Sequence, residues 1–207
     1  MKHIICFGDS NTWGYDGESK KRLPWGKRWT SLLQEKLKGV DVRIIEEGLC
    51  GRTTVFEDPL REGRKGTALL PVILETHTLA DLLVLMLGTN DCKTIFKASS
   101  QVIASGMERL IDQAERLSPQ TKILLVSPIT LGGKVWQEGY DPEFSQKSVE
   151  VSKALAAEYE KLAEKKGISF LDAAKIVPCC EADQQHMDAA GHRKFADAIF
   201  DKLIQII

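Results

Sequence analysis

Ile4-Ile5-Cys6-Phe7-Gly8-Asp9-Ser10-Asn11-Thr12 reads as a buried β-strand that breaks at once into a small polar loop. The pattern returns at Leu82-Leu83-Val84-Leu85-Met86-Leu87-Gly88-Thr89-Asn90-Asp91. Neither run alternates apolar with polar residues, as a strand with one wet face would. Both are apolar on two faces, the mark of a parallel sheet covered by helices on each side. Residues 42–45, 123–126 and 168–171 supply three shorter runs of the same kind. Between the runs lie stretches with helical spacing. Residues 28–38 carry Trp29, Leu32, Leu33 and Leu37; residues 103–117 carry Ile103, Met107, Leu110, Ile111 and Ala114; residues 148–166 end at Gly167; residues 189–204 close the chain. Strand and helix alternate, which predicts an α/β fold. The expected form is a three-layer α/β/α sandwich on a five-stranded parallel sheet in the flavodoxin-like order 2-1-3-4-5.

At 207 residues the chain fits one domain, expected to span 1–207. Hydrophobic residues are 43% and charged residues 28% of it, near globular averages, which excludes a disordered or collagen-like chain. Lys and Arg number 28 against 29 Asp and Glu, so neither nucleic acid nor an anionic membrane surface is an expected partner. No apolar run approaches the roughly 18 residues of a spanning helix. The N-terminal Met1-Lys2-His3-Ile4-Ile5-Cys6-Phe7 lacks the features of a secretory signal, so a cytoplasmic enzyme or binding domain is expected. Five cysteines are poor material for a disulfide framework, and Cys179 and Cys180 are adjacent rather than spaced as metal ligands. No metal and no cofactor is expected. Two irregular stretches, 48–67 and 131–144, are the expected rim of a site.

In a doubly wound sheet, ligands bind beyond the carboxyl ends of the strands, where the winding reverses. The loop carrying Ser10 and the loop carrying Asn90 leave neighbouring strands at that point, and the loop containing Gly51 and Arg52 reaches the same edge. A serine is a weak nucleophile until a base takes its proton and a carboxylate orients the base. Asp183-Gln184-Gln185-His186 supplies both groups, three residues apart, before the last helix. Gly-x-Ser-x-Gly occurs nowhere, so the standard α/β-hydrolase elbow is excluded.

Gly8-Asp9-Ser10, Gly51, Gly88-Thr89-Asn90-Asp91 and Asp183-x-x-His186 resemble, in order and over nearly the whole chain, the four blocks of the SGNH (GDSL-type) hydrolases. Ser10-Asn11-Thr12-Trp13-Gly14 and Gly51-Arg52-Thr53-Thr54 are most similar to the bacterial arylesterase and perhydrolase-type acyltransferase branch. The resemblance implies a serine hydrolase cleaving small carboxylic esters through an acyl-enzyme, with acyl transfer as a variant. It implies Ser10 as nucleophile, His186 as base and then acid, and Asp183 as its orienter. It implies an oxyanion hole made of the Ser10 and Gly51 backbone N–H groups and the Asn90 side chain. Members of the branch often assemble, so a homo-oligomer is expected, with residues 131–144 as the contact. One departure stands out: Asn11 replaces the leucine of the name-giving motif, a change that is expected to touch no catalytic role and that weakens the case for lipid substrates.

Blander readings compete at each position. Ser10 alone reads equally as a turn serine or helix N-cap. Asp9 and Asp91 read as structural turn residues. His192 has Asp188 four residues before it, but it shares a helical face with Phe195, Ala196, Ile199 and Leu203 and reads as a core histidine. Trp13 is expected to line the substrate pocket and Trp29 the core, and Arg52 is a candidate contact for a polar substrate. The alternative function is a flavodoxin-like module cradling a phosphate or nucleotide in the first loop.

Overall fold

The computed structural model describes residues 1–78 and 80–206. Its elements, in chain order, are β1 (Lys2–Gly8), α1 (Ser10–Trp13), β2 (Tyr15–Asp16), β3 (Lys21–Arg22), α2 (Trp29–Lys36), β4 (Val42–Gly48), α3 (Gly66–Thr76), β5 (Leu82–Met86), α4 (Ser100–Leu117), β6 (Lys122–Ser127), α5 (Gln146–Lys166), β7 (Ser169–Asp172) and α6 (Ala189–Leu203). Five strands form one sheet in the order β4-β1-β5-β6-β7, every pair parallel. That is the expected order, and the fold is the expected three-layer α/β/α sandwich.

The doubly apolar strands explain the layering. Ile5, Phe7, Leu83, Leu85, Ile123 and Leu125 point into a core shared with α3, α4 and α5. Their neighbours Ile4, Cys6, Leu82, Val84, Leu124 and Val126 point into a second core shared with α2 and α6. Trp29 is fully buried there, edge-on to Phe195 with ring centroids 5.2 Å apart. Ser145 and Gly167, the latter at φ +63°, close the two ends of α5, and Asp188 caps α6 by accepting from the Gly191 N–H at 2.6 Å. Among the described residues, no helix is long and apolar enough to cross a membrane.

Two elements escape the sequence pattern. Helix α3 contains Pro71, which normally ends a helix because it frees the carbonyl four residues earlier. Here that carbonyl, on Thr67, accepts from the Gln113 side chain at 2.9 Å, so a partner on α4 satisfies it. The β2–β3 hairpin is made of polar residues with no apolar alternation, and it follows directly on α1 as a separate two-stranded sheet.

Three neighbouring strands end together. β1, β4 and β5 stop at Gly8, Gly48 and Met86, which are in register. The irregular 48–66 stretch folds back on itself, with the Thr53 N–H donating to Arg64 O at 3.0 Å and the Gly66 N–H to Thr53 O at 3.0 Å.

Candidate active site

β1 runs directly into α1, whose first residue is Ser10. Asp9 caps the turn by accepting from the Asn11 N–H at 3.0 Å. Asp9 is completely buried; burial pushes its carboxyl upward against the pull of that N–H and of the charge on His186. A buried acidic group in this turn is poor company for a phosphate, which counts against the anion-cradle alternative.

Ser10 and His186, each 7% exposed, meet across the cleft. His186 Nε2 lies 2.7 Å from Ser10 Oγ, and His186 Nδ1 lies 2.6 Å from Asp183 Oδ2. The Nδ1–H bond to the carboxylate fixes the tautomer, leaving Nε2 free of a proton and facing Ser10 Oγ. Asp183 Oδ1 accepts from the Gln185 and His186 backbone N–H groups at 3.0 Å each and from the Cys180 thiol at 3.3 Å. Burial would raise the Asp183 carboxyl, but His186 and the two backbone donors outweigh it and hold the group at about 2. The carboxylate is therefore ionised at neutral pH.

The loop bearing this pair is anchored at several points. Cys180 N–H donates to His186 O at 2.7 Å, and Gln184 stands at φ +62° with its carbonyl accepting from the Gly132 N–H at 2.7 Å. The Tyr15 ring lies 4.5 Å from the His186 ring, centroid to centroid. Gly17 permits the hairpin to close on Asp183, since a Cβ there would stand 2.4 Å from Asp183 Oδ2.

Gly51 and Asn90 face the same cleft. Gly51 has φ +83°, a conformation that side chains resist, and a Cβ there would stand 3.1 Å from Arg61 Nη1. Asn90 Nδ2 donates to Arg52 O at 3.1 Å, which tethers the amide beside Gly51. An amide nitrogen carries two hydrogens, and that bond uses one. Behind them Asp91 binds the Thr54 N–H at 2.9 Å and the Thr54 hydroxyl at 2.5 Å, tying the 48–66 stretch to the turn after β5. Burial raises Asp91 to about 6 despite those donors.

The cleft measures about 370 Å³, within the range of small-molecule sites. Beyond Ser10, Gly51, Asn90, Asp183 and His186, its wall includes Tyr15, Arg61, Lys93 and Tyr140. Two expected contacts do not line it. Trp13 packs beside Tyr15 and under the Arg22 guanidinium, 5.3 Å from the ring centroid. Arg52 is 4% exposed, donates to the Gly8 and Glu47 carbonyls, and lies over the Phe7 ring. The geometry also brings in groups to which the sequence reading assigns no role in the site: Tyr15, Gly17, Cys180 and the side chain of Asn11. Lys93 is another, buried between Glu143 at 3.0 Å and Asp58 at 3.6 Å. Only Asn11 carried a sequence signal, as the departure from the motif.

The family model described as GDSL-like lipase/acylhydrolase matches residues 6–194. Among solved structures, a carbohydrate acetylesterase family member from Sinorhizobium meliloti is 35% identical with a TM-score of 0.92, over 100% of this chain and 99% of that one. Est24, a carbohydrate acetylesterase from Sinorhizobium meliloti, is 33% identical with a TM-score of 0.91 over 100% of both chains. The native aryl esterase of M. smegmatis is 32% identical with a TM-score of 0.91, again over 100% of both chains. No curated protein matches by sequence.

Proposed function

This chain belongs to the GDSL-like lipase/acylhydrolase family and is a carboxylic ester hydrolase, and from that premise we propose that it cleaves small esters through an acyl-enzyme on Ser10. The observation that carries the proposal is the unbroken relay Ser10 Oγ, His186, Asp183, with links of 2.7 Å and 2.6 Å.

In the proposed mechanism His186 Nε2 takes the Ser10 proton as Oγ attacks the ester carbonyl. Asp183 stays ionised and stabilises the imidazolium that forms. The Ser10 and Gly51 N–H groups and the second Asn90 amide hydrogen meet the developing oxyanion, where each fixed donor is worth roughly 3–4 kcal/mol of barrier. The imidazolium returns its proton to the leaving alcohol. Water then repeats the sequence against the acyl-enzyme and regenerates Ser10. Tyr15 and Arg61, which line the cleft, are the substrate contacts in this reading, in place of Trp13 and Arg52.

The structural neighbours named as carbohydrate acetylesterases support a short acyl group on a polar alcohol as the first substrate to try. Acyl transfer shares the first half-reaction and differs only in which nucleophile resolves the acyl-enzyme; added methanol would divert product from acid to methyl ester. Self-association through the rim around Trp136, 41% exposed, is read from a sizing column. The decisive assay is hydrolysis of p-nitrophenyl acetate by Ser10→Ala. The proposal expects loss of turnover, and a wild-type rate would remove it.

A further inference from the structure

Ser10 and His186 are 176 positions apart in the chain. Their contact requires the loop that carries the base to dock on the turn that carries the nucleophile. Asn11 spans that junction. Its Oδ1 accepts from the Met187 N–H at 3.0 Å, and its Nδ2 donates to the Gln185 carbonyl at 3.3 Å. One amide thus brackets His186 from both sides.

The amide is itself held still. Asn11 is 3% exposed. Its own N–H is bound to Asp9, and its carbonyl accepts from the Trp29 indole N–H at 3.1 Å. Asn11 also shares a single helical turn with Ser10, so whatever it grips is registered directly to the nucleophile. A leucine, the residue of the name-giving motif, could occupy this space but neither donate nor accept. The Met187 N–H, on a fully buried residue, would lose its acceptor.

We propose that Asn11 is a positioning residue that docks the base loop on the nucleophile turn and sets the Ser10–His186 distance. This rests on the Ser10–His186–Asp183 reading above. The departure from the leucine of the motif is, on this view, part of the working site. Catalytic groups must be held to within about 0.5 Å, and a misplacement of about 1 Å costs on the order of 100-fold.

The test compares Asn11→Leu and Asn11→Ala with wild type in p-nitrophenyl acetate kinetics, thermal unfolding and the low-field proton NMR signal of the His186 Nδ1–H. The Asp183–His186 bond lies within the base loop, so its signal should persist while the register to Ser10 is lost. The expected result is a kcat lowered about 10- to 100-fold, KM within about twofold, and the low-field signal retained. A wild-type kcat in either variant, or a loss carried by KM, would overturn the proposal. So would loss of the signal or of the fold in both variants, which would make Asn11 merely structural. Ser10→Ala, assayed alongside, separates the two readings. Activity retained there removes the relay itself, whereas an inactive Ser10→Ala beside a fully active Asn11→Leu removes only the role of Asn11.

Discussion

His186 and His192 stand six residues apart, each with an aspartate three or four positions before it, and the fold gives them opposite environments. His186 sits on an irregular loop, with one nitrogen on Asp183 and the other on Ser10. His192 sits one turn into α6, fully buried in the core shared with α2, where its Nδ1 accepts from the Trp29 N–H at 3.2 Å. Asp188, its apparent partner, spends its carboxylate on the helix cap. Burial, helped by the charge on His186, pushes His192 down to about 4, so it stays neutral and inert. What separates the two imidazoles is the element that carries each: a loop aims His186 into the cleft, whereas the inner face of a helix buries His192.

The largest expected effect breaks the comparison outright. His186→Ala should lower kcat by about 10⁴-fold or more, as losing the base of such a relay does elsewhere. His192→Gln should leave kcat within about twofold while costing roughly 1–3 kcal/mol of stability through its orphaned backbone partner. Steady-state kinetics and urea midpoints on the two variants decide it; a catalytic loss at His192 comparable to that at His186 would erase the distinction. Asn90→Ala comes next, with an expected loss of about 10²–10³-fold in kcat if its amide meets the oxyanion.

Acid separates the two histidines further. The folded His192 value of about 4 lies below its ordinary 6.5, so the unfolded chain binds more protons between those values. Its contribution to stability is complete above about 6.5 and falls as the pH drops towards 4, by up to about 1.4 kcal/mol per pH unit. Asp183, held at about 2, contributes in the other window: its stabilisation is present above the ordinary carboxylate value and is lost only as pH falls through about 2. Urea titrations at pH 7 and 4.5 should therefore show a drop that His192→Gln flattens, a drop to which Asp183 does not contribute.

The smallest effect sharpens the description of the base loop. Cys180 is pushed up to about 11, first by burial, so at neutral pH its thiol is a donor to Asp183. Cys180→Ala should lower kcat by only about two- to fivefold, because one weak donor of the three on Asp183 Oδ1 is lost, and Cys180→Ser should restore it.

The sequence made these differences legible only where the residue type settles the environment. Doubly apolar strands read as a covered parallel sheet because no other arrangement buries both faces. The inner face of α6 placed His192 in the core for the same reason. Helix α3 was hidden because Pro71 argues against a helix, and the Gln113 bond that rescues the Thr67 carbonyl is a tertiary fact. Ser10, Asp183 and His186 could be named because their types and spacing match one chemistry. The cleft wall could not. Trp13 and Tyr15 are two residues apart on the same polar stretch, and only the hairpin turns Tyr15 onto His186 and leaves Trp13 against Arg22. Arg52 looks like a substrate contact until its carbonyl partners are known.

The central claim is that Ser10 is the nucleophile and His186, not His192, is its base. Labelling with diisopropyl fluorophosphate followed by peptide mass mapping tests it most directly. The account predicts one adduct, on Ser10, absent from Ser10→Ala, strongly slowed in His186→Ala and formed at the wild-type rate in His192→Gln. An adduct on another residue, or unslowed labelling of His186→Ala, would contradict it.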